Sequence, residues 1–199
     1  MTLENIMDFM VAVEALKGVN RKTKPVGLDR FENSAEHSWH VTLMALILKG
    51  YADPDIDIMK VMTMLLIHDL GEIHVGDTII YESETEEMKA KEGQGVKDLL
   101  SYLGGDVAGE LMDLWLEFEA GQTKEAAYAK AIDRIPPLLH NLRGDYCSWK
   151  DHGISLDKAL GVNQRIEKAS PDLWRHIKGL LEDGQARGLF AGGNHEKRS

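Results

Sequence analysis

Basic residues are scarce in this chain: 23 lysines and arginines face 33 aspartates and glutamates, a formal net charge of −10. A long contact with a phosphate backbone needs a cationic surface, so polymeric nucleic acid is disfavoured as a partner. Cysteine occurs once, at Cys147, which excludes an internal disulfide and a cysteine-based zinc site. The longest apolar run, residues 41–48 interrupted by Thr42, is far shorter than the roughly 20 residues of a membrane span, so no membrane partner is expected. The N-terminus lacks the basic start and apolar block of a signal peptide, and a cytoplasmic location is expected. Strand-like alternation, internal repeats and linkers are also missing. One all-α domain is therefore predicted over residues 1–190, with a frayed tail at 191–199.

What is present reads as a run of helices. The apolar fraction of 43% and charged fraction of 28% are those of a soluble globule, and 199 residues suffice for one substantial core. Leu3, Ile6, Met7, Met10, Val13 and Leu16 recur at three- and four-residue steps, which predicts an amphipathic helix over 3–17 ended by Gly18. Asn33 with Glu36 three residues on makes an Asx version of the capping box. A helix starting there puts His37 in its first turn and buries most of residues 41–48. Asp55 or Asp57 begins the next helix, with a core face of Ile58, Val61, Met62, Leu65 and Leu66. His74 to Thr78 reads as a turn, and residues 84–92 as a charged helix start or lid segment. Helices over 96–103 and 106–119 follow, divided by Gly104-Gly105, and Leu111, Leu114, Trp115 and Phe118 suit the buried face of the second. Thr123 to Cys147 is helical with a kink at Pro136-Pro137, just after Asp133. Amphipathic helices near 155–168 and 172–187 complete the prediction.

The chemistry concentrates in Leu65-Leu66-Ile67-His68-Asp69-Leu70-Gly71-Glu72. Neighbouring helical residues point about 100° apart, so His68 and Asp69 cannot both face the core, yet both can lean on one ion beside the helix. Glu72 lies one turn further on the same flank, where it could hold a metal-bound water. The alternative is a His-Asp pair that meets only solvent and the helix end. His37 upstream and Asp133 downstream complete the order His … His-Asp … Asp.

That order resembles the HD-domain metal-dependent phosphohydrolases. Val19-Asn20-Arg21, Glu32-Asn33-Ser34-Ala35-Glu36-His37-Ser38, His68-Asp69-Leu70-Gly71-Glu72, Gly76-Asp77, Trp115-Leu116-Glu117-Phe118-Glu119 and Lys130-Ala131-Ile132-Asp133 are similar to the small HD-domain 5′-deoxynucleotidases and their eukaryotic relatives. The resemblance implies an HD-domain helical bundle holding one divalent ion (Mn, Co, Fe, Ni, Zn or Mg) on His37, His68, Asp69 and Asp133. It further implies Glu72 and Asp77 as catalytic residues, with Arg21 on the substrate phosphate and Glu119 on the substrate. The implied substrate is a nucleoside 5′-monophosphate, and the implied assembly a homodimer. Other readings are an HD hydrolase of cyclic or polyphosphorylated nucleotides and, from another class, a non-catalytic metal-binding regulator. Where the resembled enzymes carry a tryptophan beside the phosphate-binding arginine, this chain has Lys22, Thr23 and Lys24, which predicts weaker selection of deoxyribose over ribose.

Overall fold

The computed structural model describes residues 2–79, 81 and 85–192, and the end of the predicted tail, 193–199, lies outside them. Among the described residues the regular structure is helical, with one isolated antiparallel bridge between Asn20 and Asn33. Helix α1 (Leu3–Ala12) tightens into a 3-10 segment over Val13–Gly18, so the predicted first helix is present in two geometries. Helix α2 (Ser34–Ile47) starts at the predicted box: Asn33 accepts from the Glu36 amide, and the Glu36 carboxylate accepts from the Asn33 amide. Such a cap is worth about 1 kcal/mol and fixes where the helix begins, hence where His37 points. Helix α3 (Ile58–Ile67) is capped by Asp57 and runs into a 3-10 turn, His68–Gly71, before the short α4 (Glu72–Val75) ends at Gly76 with φ +79°.

Helix α5 (Glu86–Leu100) begins ten residues before the predicted 96, so the charged stretch is the helix start that was one of its two readings and not a lid. Gly93 and Gly95 lower the intrinsic helix tendency there, and close packing explains Gly95. A Cβ on Gly95 would lie 2.4 Å from the His74 ring, and one on Gly71 would lie 3.0 Å from Glu92 Cβ. The backbones of α5 and the 68–75 segment can therefore approach closely. Helix α6 (Gly105–Ala120) is followed by α7 (Lys124–Asp133) and α8 (Ile135–Arg143). The kink falls at Arg134, with both prolines in the first turn of α8, where their missing amides cost little. Short helices α9 (Cys147–Asp151), α10 (Leu156–Asn163) and α11 (Arg165–Ala169) lead to α12 (Pro171–Ala186).

The larger core joins α2, α3, α7 and α8 to the C-terminal helices through Val41, Met64, Tyr128, Ile132, Trp149 and Leu181. A smaller one joins the segment after α3 to α5 and α6 through Leu70, Val96, Leu100 and Trp115. Side-chain burial departs from expectation in two places. Leu66 is exposed, not core, and so are Leu43, Leu46 and Ile47 of the 41–48 run, because α2 and α3 bury only their inward faces. No described helix is long and apolar enough to cross a membrane.

Candidate metal centre and catalytic cleft

Three elements deliver the predicted ligands to one point. His37 is fully buried at the start of α2, and its Nε2 lies 2.8 Å from Asp133 Oδ1 at the end of α7. His68 Nε2, from the 3-10 turn after α3, is 3.0 Å from Asp69 Oδ1 and 3.4 Å from Asp133 Oδ1. The other nitrogen of each ring is engaged. His68 Nδ1 donates to Leu65 O at 2.9 Å, and His37 Nδ1 is 3.2 Å from Glu32 Oε2. These partners orient both rings with Nε2 toward the cluster, the arrangement that supports metal-bound histidines. Trp115 Nε1 donates to His68 O, and Phe118 meets the His68 ring edge-on, fixing the turn further.

Arg21 reaches this cluster from the loop between the first 3-10 segment and α2. Its amide donates to Glu32 O at 2.8 Å, the Glu32 amide donates to Thr23 O, and the Ser34 amide donates to Val19 O. This small ladder pins the loop to the entry of α2 and turns Arg21 inward. The guanidinium Nη1 is 2.9 Å from Asp69 Oδ2, 3.4 Å from Asp77 Oδ1 and 3.6 Å from Glu72 Oε1. Ser34 Oγ donates to Glu72 Oε2 at 2.5 Å.

The electrostatics call for more positive charge than the chain supplies. Glu32, Asp69, Glu72 and Asp77 all lie within 4 Å of one guanidinium, and each carboxylate left without a counter-charge in a buried site costs several kcal/mol. Burial, then repulsion from Asp69, pushes the Glu72 carboxyl up to about 9. Burial also raises Asp77. At Asp133 burial opposes ionisation, but its interactions with His37 and His68 outweigh that and hold it well below the usual carboxylate range. His68 is opposed by burial yet lifted to about 9 by Asp69 and Asp133. A divalent cation answers this demand. His68 Nε2 is buried without a well-formed hydrogen bond, and His37, His68 and Asp69 offer ligand atoms within 4.8 Å of one another. Two imidazoles and two carboxylates suit a borderline or hard divalent ion.

The cluster forms the floor of a cleft of about 400 Å³. All the predicted site residues except the deeply buried His37 line it: Arg21, His68, Asp69, Glu72, Asp77, Glu119 and Asp133. Glu119 stands at the rim, 3.3 Å from Lys130, whereas Glu117 turns away to Lys60 at 2.7 Å. Lys89, Lys130, Arg134 and Arg165 also border the cleft, and the sequence reading assigned none of them. Lys130 had a signal, since it lies one turn before Asp133 on the same helix flank. Arg165 had none, because it arrives from α11 through tertiary packing. Phe31 and Trp39, aromatic side chains downstream of Arg21, are exposed, and neither lines the cleft.

The HD domain family matches residues 13–174. Over 145 residues the chain is 32% identical to the 5′-deoxynucleotidase HDDC2 of Dictyostelium discoideum, covering 69% of this chain and 76% of that protein. With the Bos taurus protein of the same name the identity is 28% over 137 residues, 68% of this chain and 65% of that one. A predicted metal-dependent phosphohydrolase from Magnetospirillum magnetotacticum MS-1 is 39% identical and superimposes with a TM-score of 0.89, covering 95% of this chain and 98% of that one. With the match spanning every element that builds the cleft, the chain belongs to the HD domain family.

Proposed function

We propose that this protein is a metal-dependent 5′-nucleotidase that releases phosphate from (deoxy)nucleoside 5′-monophosphates. The observation that carries the reading is the convergence of His37, His68, Asp69 and Asp133 beside Arg21, Glu72 and Asp77 in one cleft. The names borne by the Dictyostelium and Bos taurus relatives agree with it. His37, His68, Asp69 and Asp133 would hold a divalent ion, which would supply Lewis acidity and lower the pKa of water. Arg21, held by Asp69 and Glu32, meets the phosphate charge with a guanidinium that is already oriented. Glu72, fixed by Ser34, would be brought below its metal-free value of about 9 by a cation on the neighbouring ligands, and so ionised takes the proton of the attacking water. Asp77, kept protonated more readily by burial, gives a proton to the departing 5′-oxygen as the P–O bond breaks. Glu119 accepts hydrogen bonds from the nucleoside at the rim.

The test is phosphate release from a panel of 5′-, 3′- and cyclic mononucleotides and nucleoside triphosphates with several divalent metals. Turnover confined to 5′-monophosphates is expected. Turnover confined to cyclic or polyphosphorylated nucleotides would replace this substrate class. An added metal that raises Tm and never supports turnover would make the centre structural.

The partner we place on the outer face is a second copy of the chain. Exposed Leu43, Leu46 and Ile47 of α2 and Met59 and Leu66 of α3 give two neighbouring helices an apolar outer surface. Light scattering should report a dimer, and Ile47→Glu a monomer.

A further inference from the structure

Behind the cleft, on the far side of Glu32, a second histidine–carboxylate cluster is formed by residues that the proposed reaction does not use. Glu32 is 2% exposed and faces two ways. Its Oε2 supports His37, while its Oε1 lies 3.8 Å from His140 Nε2. His40, one turn after Glu36 on α2, stacks against the His140 ring with centroids 6.4 Å apart. The ligand atoms of Glu32, His40 and His140 all lie within 4.8 Å of one another. His140 Nδ1 is 3.0 Å from Thr23 Oγ1, a contact that orients the ring and leaves Nε2 toward Glu32.

We infer that Glu32, His40 and His140 form a second metal site, selective for a borderline divalent ion such as Zn²⁺ or Co²⁺. Two imidazoles and one carboxylate are a three-ligand set of the kind that leaves a fourth position for water. Tetrahedral zinc needs ligand atoms about 3.4 Å apart, given Zn–N bonds of about 2.0–2.1 Å. The Glu32–His140 distance closes to that with a shift of a few tenths of an ångström. His40, only partly buried, supplies the remaining movement. An entry path exists, because the three residues open onto a groove bordered by Val26, Leu28, Trp39 and Leu139.

Occupation couples to the first centre through the shared carboxylate. A cation on Glu32 Oε1 draws charge from Oε2, so His37 becomes a poorer donor, and the two ions also repel each other. The second site is therefore inhibitory.

The experiment titrates the metal-loaded protein with Zn²⁺ and with Co²⁺, then measures metal content after gel filtration and the Co²⁺ d–d spectrum. The wild type is expected to retain an equivalent that His40→Ala and His140→Ala bind at least tenfold more weakly, both variants keeping the metal of the cleft. His40→Ala, altering a partly exposed side chain, guards against loss of fold in the His140 variant. Excess zinc should depress wild-type turnover and spare His40→Ala. Equal stoichiometry in wild type and His40→Ala overturns the site. So does a second equivalent that persists in His40→Ala and disappears in Glu72→Ala, since that ion belongs to the cleft.

Discussion

Two histidine–carboxylate clusters share Glu32, and they differ in what surrounds them. On the cleft side, His37 and His68 sit among Asp69, Asp133, Glu72 and Asp77 with Arg21 at their centre, and lysines and arginines border the rim. On the other side, His40 and His140 face an apolar groove. The same ligand types thus meet a built catalytic environment in one place and none in the other. A metal-binding set becomes a reaction centre only when groups that act on water and phosphate stand beside it.

The sharpest separation of the two comes from Glu72→Gln, which removes the group proposed to act on water, one that hydrogen-bonds to neither ligand set. Turnover should fall by about 10²–10⁴-fold with metal content unchanged, read by phosphate release beside elemental analysis. Equal loss of metal would move Glu72 into the ligand set.

Glu32→Gln acts on both clusters at once. Loss of the carboxylate charge behind His37 is expected to weaken metal binding in the cleft by about 10–100-fold, measured by competition with a chelating dye. An unchanged affinity would show that the His37 contact at 3.2 Å carries no support.

Acidity gives a smaller, graded effect. Glu72 and His68 both titrate near 9 when folded without metal, above their ordinary values of 4.5 and 6.5. Groups whose pKa is raised by folding contribute stability that is full below the unfolded value and lost as pH rises through the folded one. The Tm of metal-free protein should therefore drop by about 5 °C between pH 6.5 and 9, and added Mn²⁺ should flatten that slope. A metal-free Tm that rises over this window would reverse the electrostatic picture.

Sugar selectivity is the smallest expected effect. With Lys22 in place of an aromatic neighbour and Phe31 and Trp39 outside the cleft, the kcat/KM ratio of dAMP to AMP should stay below the roughly 10² that rejection of a hydroxyl by an apolar pocket provides. Strong rejection of AMP and UMP alike would mean that another surface, such as Tyr81 or Trp149 beside Arg21 and Asp77, takes the role of that wall.

The legible parts of the molecule were those whose signal is local. The Asn33–Glu36 cap and the apolar run ending in His68-Asp69 each rest on residues within a few positions of one another and stand as read, while the turn expected over His74 to Thr78 begins two residues later, after α4 ends at Val75. Helix α5 starts ten residues before the predicted 96 because Gly93 and Gly95 weaken the local pattern, while the reason for Gly95, the approach of His74, lies in another segment. Leu43, Leu46, Ile47 and Leu66 were read as core because apolar residues on an outer face carry the same composition as buried ones. Arg165 and the pairing of His40 with His140 required the tertiary fold itself, as they join α11 to α7 and α2 to α8.

The central claim, that ligands on α2, the turn after α3 and α7 hold a metal required for 5′-phosphomonoester hydrolysis, is tested most directly by one titration. Metal-stripped wild type and Asp69→Ala receive increasing Mn²⁺ while phosphate release from dAMP and bound metal are followed together. In the wild type, turnover is expected to rise in proportion to metal bound, while Asp69→Ala binds little and stays at least about 10³-fold below it. Full turnover in stripped wild type, or stoichiometric metal in Asp69→Ala with activity intact, would contradict the account.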